Sequence, residues 1–171
     1  KELKRSELYG KTLGLIGVGN IGSEVAKRAS AFGMKVLAYD PFIKSHEHAQ
    51  LKGSLDDLLG QCDYFSLHTP LTPETEGMIN ADAFGKMKEG VVILNTGRGK
   101  CVNEADMAAA LTSGKVRAYA TDVWFSDPPP DDSPLLKAPN VLMTPHIGAS
   151  TKENLLRIGD VIVSILEKEV S

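Results

Sequence analysis

An arginine, a histidine and an aspartate each follow a short apolar run of this sequence. Arg98 lies in a glycine-rich turn after the run that ends at Asn95, His146 follows the run that begins at Val141, and Asp122 closes another. A guanidinium group holds a carboxylate through two parallel hydrogen bonds, and an imidazole takes or returns a proton near neutral pH. Together these residue types suit the oxidation of an alcohol group next to a carboxylate.

Each of these residues alone has a simpler interpretation. Arg98 by itself would be a surface charge in a turn, and His146 a polar residue ahead of a helix. The chemical interpretation is favoured because the carboxyl ends of parallel strands share one edge of a sheet, where open sheets bind their ligands. We therefore expect these side chains to gather at that edge.

The run Gly17-Val18-Gly19-Asn20-Ile21-Gly22 stands between an apolar stretch and a helix-like stretch. In this setting the first glycine allows a tight turn, the second lets the backbone approach a pyrophosphate, and the third lets helix and strand pack closely. Asp40 closes the next apolar run, where a carboxylate suits ribose hydroxyls and repels a 2′-phosphate. The pattern predicts a dinucleotide site that prefers NAD to NADP. The simpler alternative is a tight turn followed by a surface aspartate.

Apolar strand-like runs alternate with helix-like runs, as in a parallel sheet covered by helices on both faces. This alternation predicts an α/β, Rossmann-type doubly wound sheet in a single domain. Asn103, followed by Glu104 and Asp106, is typical of a helix start. Strands are expected at residues 12–16, 35–39, 64–68, 91–95, 117–122 and 141–144, and helices at residues 21–32, 54–59, 80–86, 103–112 and 151–168.

The composition argues against several classes of function. The 171 residues carry a net charge of −3, which disfavours a nucleic-acid or anionic-membrane surface. No run reaches the roughly 20 apolar residues of a membrane-spanning helix, and no signal-peptide core is visible. Cys62 and Cys101 are too isolated for a disulfide framework or a zinc site, and His46 and His48 are expected on a solvated helix face, so no metal is predicted. The cytoplasm is the expected compartment.

Several motifs together resemble those of the NAD-dependent D-2-hydroxyacid dehydrogenases. They are residues 8–14, the glycine turn, Tyr39-Asp40-Pro41, residues 67–72, residues 95–99, Asp122-Val123 and residues 145–151. The resemblance runs nearly end to end. The His-Ile-Gly-Ala-Ser-Thr run that begins at His146 is most similar to the D-3-phosphoglycerate dehydrogenase branch, which opens serine biosynthesis. Sibling branches that act on glyoxylate, hydroxypyruvate or lactate share most of the motifs and stay as alternatives.

The resemblance implies catalytic roles. Arg98 would bind the carboxylate and carbonyl of a small anionic 2-hydroxy or 2-oxo acid, and His146 would be the general acid/base. The glutamate that orients this histidine in the family falls at Asp127. Because an aspartate is shorter by one methylene, about 1.5 Å, contact with His146 requires the proline-rich loop to bring Asp127 inward. The alternative is that Asp127 is only a loop carboxylate.

The resemblance also implies contacts with NAD as the cofactor. Asn20 and Ile21 would lie over the pyrophosphate, and Asp40 on the adenosine ribose. The other contacts would be Thr69 and Pro70 near the adenine side, Thr96 and Gly97 beneath the nicotinamide ribose, Asp122 on the carboxamide, and Gly148 near the ring beside His146.

Enzymes of this family carry a separate substrate domain, built mostly from residues before the nucleotide-binding segment. Residues 1–171 are therefore expected to be the NAD-binding domain alone, with little turnover, because water enters a cleft that lacks its facing domain. The full-length enzyme is expected to be a homo-oligomer and this domain a monomer. The alternative from another class is a non-catalytic NAD-sensing module, like the family's transcriptional corepressors. The segment after His146 lacks their aromatic residue, which favours the enzyme.

Overall fold

The apolar runs form one parallel sheet. A computed structural model describes residues 6–170, the last two by backbone alone. The strands, in chain order, are β1 (Thr12–Ile16), β2 (Lys35–Tyr39), β3 (Gln50–Leu51), β4 (Tyr64–Leu67), β5 (Val91–Asn95), β6 (Val116–Thr121) and β7 (Val141–Met143). They lie in the order β3-β2-β1-β4-β5-β6-β7, and every neighbouring pair is parallel.

The helices fall between the strands and after the last one. They are α1 (Asn20–Ala31), α2 (Leu55–Leu59), α3 (Ala81–Lys86), α4 (Glu104–Ser113) and α5 (Lys152–Val170). The polar residues Ser54, Asn80 and Asn103 precede α2, α3 and α4, and each accepts a hydrogen bond from a first-turn amide. These residues satisfy amides that a helix start leaves without partners.

The strand order reverses direction between β1 and β4. The chain runs from β1 outward through β2 to β3, and then crosses to β4 and continues on the other side. On one face, Leu15 and Ala38 pack with Ala26 of α1. A second apolar cluster includes Phe65 of β4 and Met107 of α4. This confirms the predicted doubly wound sheet, and it places the crevice in which such sheets bind ligands between β1 and β4.

Several element boundaries differ from the sequence prediction. The third predicted strand ends at Leu67, the fifth is shifted by one residue to Val116–Thr121, and the sixth ends at Met143. The strand Gln50–Leu51 is not predicted, because two residues are too few to show an alternating pattern. All predicted helices are present, with ends displaced by a residue or two.

The prediction that His46 and His48 lie on a helix face is wrong. Both residues lie in the loop between β2 and β3. Nε2 of His46 contacts the Ser23 hydroxyl at 3.0 Å, and the His48 amide donates to Nδ1 of His46 at 3.1 Å. The His46 ring therefore ties this loop to α1. Among the side chains of residues 6–168, no three metal-binding groups come together.

Helix α5 packs little against the rest of the described chain. Leu155, Ile162 and Leu166 are each more than half exposed. Charged residues interrupt the apolar ones, and no helix in the described part of the chain is both long and apolar enough to cross a membrane.

Candidate active site

Close backbone approaches shape the glycine turn between β1 and α1. Gly17 has a φ of 89°, a left-handed conformation that glycine adopts freely. A Cβ atom on Gly22 would lie 2.3 Å from the carbonyl oxygen of Gly17, so only glycine lets α1 come this near to the turn. A Cβ atom on Gly19 would meet nothing within 4 Å. The turn is therefore tight on its inner side and open to an approaching group at Gly19.

Helix α1 lacks the side-chain cap that α2, α3 and α4 have. Its N-cap position is Gly19, no side chain of the described residues caps its first turn, and that turn holds no acidic residue. The amides of Asn20 and Ile21, at the positive end of the helix dipole, are left for another acceptor. Both residues are exposed. This helix end is open to an anion.

Asp40 lies beside the same turn, at the end of β2. One of its carboxylate oxygens accepts the Val18 amide at 3.0 Å, and the other accepts the Phe42 amide at 2.9 Å. These bonds fix the carboxylate next to the middle of the turn. A carboxylate offers about four lone-pair sites, so both oxygens can still accept from a further donor such as a ribose hydroxyl.

The loops after β4 and β5 press against each other beside the turn. A Cβ atom on Gly97 would lie 2.8 Å from the Thr69 carbonyl oxygen, and one on Gly17 would lie 3.2 Å from the Thr69 methyl group. Thr96 and Pro70 are exposed at this edge. The structure thus brings the residues predicted for the adenine side and for the nicotinamide ribose to the carboxyl ends of neighbouring strands.

The turn that carries Arg98 is supported from inside the protein by Asn95. The side chain of Asn95 is fully buried, donates to the Arg98 carbonyl at 3.0 Å and accepts the Gly97 amide at 3.0 Å. The sequence motif gave no separate role to Asn95. A polar residue at the last position of an apolar strand is nevertheless a signal that could have indicated this role. Asn95 therefore fixes the backbone from which the arginine extends.

The guanidinium group of Arg98 itself is exposed. Its Nη1 donates to the Gly97 carbonyl at 2.8 Å. Within residues 6–168, no carboxylate forms an ion pair with it. The positive charge is therefore available to an anion from outside the chain.

Trp124 joins the loops after β5, β6 and β7. A Cβ atom on Gly99 would lie only 1.9 Å from the Trp124 carbonyl oxygen, so the two loops touch backbone to backbone. The indole N–H of Trp124 donates to the Thr144 carbonyl at 3.2 Å. These contacts link the turn that holds Arg98 to the segment that holds His146.

His146 and Asp127 are in direct contact. Nδ1 of His146 lies 3.2 Å from Oδ2 of Asp127, and both side chains are about half exposed, at 51% and 55%. Asp127 thus reaches the histidine despite its shorter side chain. The proline-rich loop therefore holds Asp127 inward, as this contact requires. With Nδ1 directed at the carboxylate, Nε2 is the nitrogen left for proton exchange with a ligand.

Asp122 holds the backbone on both sides of His146. Its Oδ1 accepts the Thr144 hydroxyl at 2.6 Å and the Ile147 amide at 2.9 Å, and its Oδ2 accepts the Gly148 amide at 2.7 Å. Burial raises the pKa of this carboxyl, but the hydrogen bonds and the nearby His146 outweigh burial and leave the pKa below its ordinary value. His146 has a φ of 55°, which is uncommon for a residue with a side chain. The ionised Asp122 stabilises that conformation.

Residues 1–148 match the family model described as "D-isomer specific 2-hydroxyacid dehydrogenase, NAD binding domain". The hydroxypyruvate reductase of Thermotoga maritima is 49% identical over 172 residues, which cover 99% of this chain and 56% of that protein. The D-3-phosphoglycerate dehydrogenase of Mycobacterium tuberculosis is 49% identical over 164 residues, which cover 94% of this chain and 31% of that protein. The chain therefore spans between 31% and 56% of the length of these relatives.

A solved structure shows the same architecture. The D-lactate dehydrogenase of Aquifex aeolicus, complexed with NAD and lactic acid, superposes with a TM-score of 0.91 at 36% identity. The match covers 99% of this chain and 56% of that chain.

Proposed function

Because this chain belongs to the NAD-binding domain family of the D-isomer specific 2-hydroxyacid dehydrogenases, we propose that it is the nucleotide-binding part of an enzyme that oxidises a small D-2-hydroxy acid. Residues 1–171 form this domain, and the substrate domain belongs to a longer protein that acts as a homo-oligomer. One observation carries the proposal: an uncapped glycine turn and a histidine–carboxylate pair lie at the same edge of one sheet.

The residues present fit NAD. The open approach at Gly19 and the free amides of Asn20 and Ile21 suit the pyrophosphate. Asp40 receives the hydroxyls of the adenosine ribose and disfavours a 2′-phosphate by charge repulsion. When bound, NAD supplies the acceptor for the hydride of the substrate carbon.

The chain's own residues bind the acid and move its proton. Arg98 holds the substrate carboxylate through charge-assisted hydrogen bonds. Nε2 of His146 takes the hydroxyl proton during oxidation and returns it during reduction. Asp127, on Nδ1, keeps the ring in one orientation and stabilises the imidazolium that forms. The contact of 3.2 Å between His146 and Asp127 supports this assignment.

For the substrate we infer a three-carbon acid with an oxygen substituent on carbon 3. Two relatives at the same identity support this, since one is named for D-3-phosphoglycerate and the other for hydroxypyruvate. The motif that begins at His146 favours the phosphorylated acid, which opens serine biosynthesis. The cytoplasm is the proposed compartment, because the free thiols of Cys62 and Cys101 are both buried and unpaired and a reducing environment keeps such thiols free.

Calorimetric titration of the chain tests these proposals. NADH and NADPH are titrated separately, and 3-phosphohydroxypyruvate, hydroxypyruvate or glyoxylate is then added to the NADH complex. We expect selective NADH binding and further heat from the phosphorylated acid. A chain that binds neither nucleotide would contradict the proposed function, and stronger heat from hydroxypyruvate or glyoxylate would favour the sibling branches.

Asp40→Ala is expected to weaken NADH binding roughly tenfold and to bring the affinities for NADH and NADPH close together. The variant loses an acceptor for the ribose hydroxyls and also the charge that repels a 2′-phosphate. Calorimetry with both nucleotides measures the two affinities. Asp56→Ala is the control, because Asp56 pairs with Lys86 on the surface. An unchanged preference for NADH in Asp40→Ala would contradict the ribose assignment.

Arg98→Ala is expected to leave the NADH affinity within about twofold of the wild-type value and to abolish the heat of acid binding. The guanidinium group supplies the charge for the substrate carboxylate, whereas the turn backbone that lies under the cofactor is held by Asn95. Arg28→Ala serves as the control, since Arg28 pairs with Glu24 on the exposed side of α1. Equal losses of NADH and acid binding would refute the assigned role.

A further inference from the structure

His68 lies where the strand order reverses and has none of the roles assigned above. It directly follows β4, between the turn after β1 and the loop after β5. Nε2 of its ring lies 2.9 Å from the Ser66 hydroxyl, and Nδ1 lies 3.2 Å from the Thr96 hydroxyl. Its Cδ2 atom would lie 3.6 Å from a Cβ atom on Gly22, in the first turn of α1. The imidazole thus fills the space between the glycine turn and Thr96.

The surroundings define which ring nitrogen carries the proton. Burial lowers the pKa of His68, so the ring is neutral at neutral pH and one nitrogen is protonated. Ser66 is buried, and within the described part of the chain its hydroxyl has one hydrogen-bond acceptor, the imidazole ring of His68. A buried hydroxyl without an acceptor is unfavourable. Ser66 therefore donates to Nε2, and the proton of the ring is on Nδ1.

This tautomer determines the orientation of the Thr96 hydroxyl. Since Nδ1–H donates to the Thr96 oxygen, the hydroxyl proton must point elsewhere. The Leu67 carbonyl lies 3.5 Å from that oxygen, at the outer limit of a hydrogen bond. The proton is therefore held weakly and can turn to an oxygen atom of a bound molecule. Thr96 is exposed at the edge where the turn is open.

We propose that His68 is a positioning residue for NAD, which orients the Thr96 hydroxyl as a donor to an oxygen of the nicotinamide half of the dinucleotide. The order of donation runs from Ser66 to His68, from His68 to Thr96, and from Thr96 to the ligand. This inference rests on the proposed function, because it takes NAD as the ligand. We call this series of hydrogen bonds from Ser66 through His68 to Thr96 the relay. The relay carries no charge, and it adds to the charge-based contacts of the glycine turn.

NADH affinities of variants test the relay. His68→Leu and Thr96→Val are each expected to weaken binding roughly tenfold, and the double variant is expected to be no more than about twofold weaker than either. His68→Asn, whose amide can donate from the position of Nδ1, is expected to bind NADH within about threefold of the wild-type affinity. His68→Gln is expected to lose more than about threefold in NADH affinity. Thr112→Val is the control, since its hydroxyl bonds to Ala108 inside α4. Circular dichroism verifies that each variant is folded.

Four outcomes separate this inference from the proposed function. If the wild type binds NADH and His68→Leu binds it equally well, the relay alone is overturned. The same holds if the losses of NADH affinity in the two single variants multiply in the double variant. Failure of the wild type to bind NADH would overturn the proposed function and the relay with it. A long-range proton–nitrogen correlation spectrum of the free chain reports the tautomer without any ligand, and a proton on Nε2 of His68 would overturn the relay independently.

Discussion

Gly22→Ala and Gly19→Ala are both expected to weaken NADH binding by roughly tenfold or more, but only Gly22→Ala is expected to destabilise the fold. The methyl group on residue 22 would lie 2.3 Å from the Gly17 carbonyl oxygen, so α1 must move away from the turn. Such overpacking costs about 1–3 kcal/mol of unfolding free energy. Since the turn and the first-turn amides shift together, we expect the NADH affinity to fall by about a hundredfold or more.

Gly19→Ala separates binding from stability. Residue 19 has a negative φ of −65°, so alanine would meet no left-handed strain there, and its added methyl group would meet no atom of the protein within 4 Å. We expect a change in unfolding free energy within about 0.5 kcal/mol, because no packing is disturbed. The methyl group would instead occupy the approach path of the pyrophosphate, and NADH binding should weaken by roughly tenfold or more.

Urea unfolding and NADH titration of both variants measure these effects. Gly85→Ala in α3 is the matched control, because its methyl group would also meet nothing within 4 Å and it lies away from the turn. That change should leave NADH binding intact and stabilise the helix by about 0.5–1 kcal/mol. Unchanged NADH affinity in Gly19→Ala would show that the open side of the turn is not the pyrophosphate site.

The fold could be predicted from the sequence to a large extent because its strands and helices carry strong local patterns. The strands β1, β2 and β5 have the predicted bounds, since each is an apolar run between polar residues. The start of α4 follows from Asn103, whose side chain accepts the Asp106 amide. The strand Gln50–Leu51 and the loop before it carry no such pattern, because their conformation depends on pairing with β2 and on the contact of His46 with Ser23.

The candidate site could be predicted as a set of residues but not as a network of contacts. Strand order alone brings Arg98, Asp122 and His146 to one edge of the sheet. The contacts that orient them depend on loop conformations far apart in sequence, such as the left-handed backbone of His146. His68 acts through a hydrogen bond to Thr96 in another loop, and no local spacing indicates that bond. Asn95 bonds within its own turn, so its position at the strand end was the one local signal for it. The contact of Asp127 with His146 could not be predicted either, because it depends on the conformation of the proline-rich loop.

Asp122→Asn is expected to destabilise the protein at neutral pH, whereas Asp127→Asn is not. An asparagine at position 122 cannot accept the Thr144, Ile147 and Gly148 donors together, because its amide nitrogen only donates. Hydrogen bonds to a charged group contribute more than neutral ones, and for this solvent-accessible carboxylate we expect a loss of about 1–2 kcal/mol. The half-exposed pair of Asp127 with His146 should contribute less than about 1 kcal/mol.

The pH dependence of the stability lost in Asp122→Asn identifies the Asp122 carboxylate as the source of that stability. The pKa of Asp122 is lowered in the folded protein, so the unfolded chain takes up the proton first as the pH falls. The contribution of the carboxylate is therefore complete above the unfolded pKa, about 3.9, and it is lost as the pH falls through the lower folded value. Urea unfolding at several pH values should show wild type and Asp122→Asn converging below about pH 4. A gap of the same size at pH 3 and pH 7 would mean that the substitution acts through packing, and that the ionised carboxylate does not hold the backbone of His146.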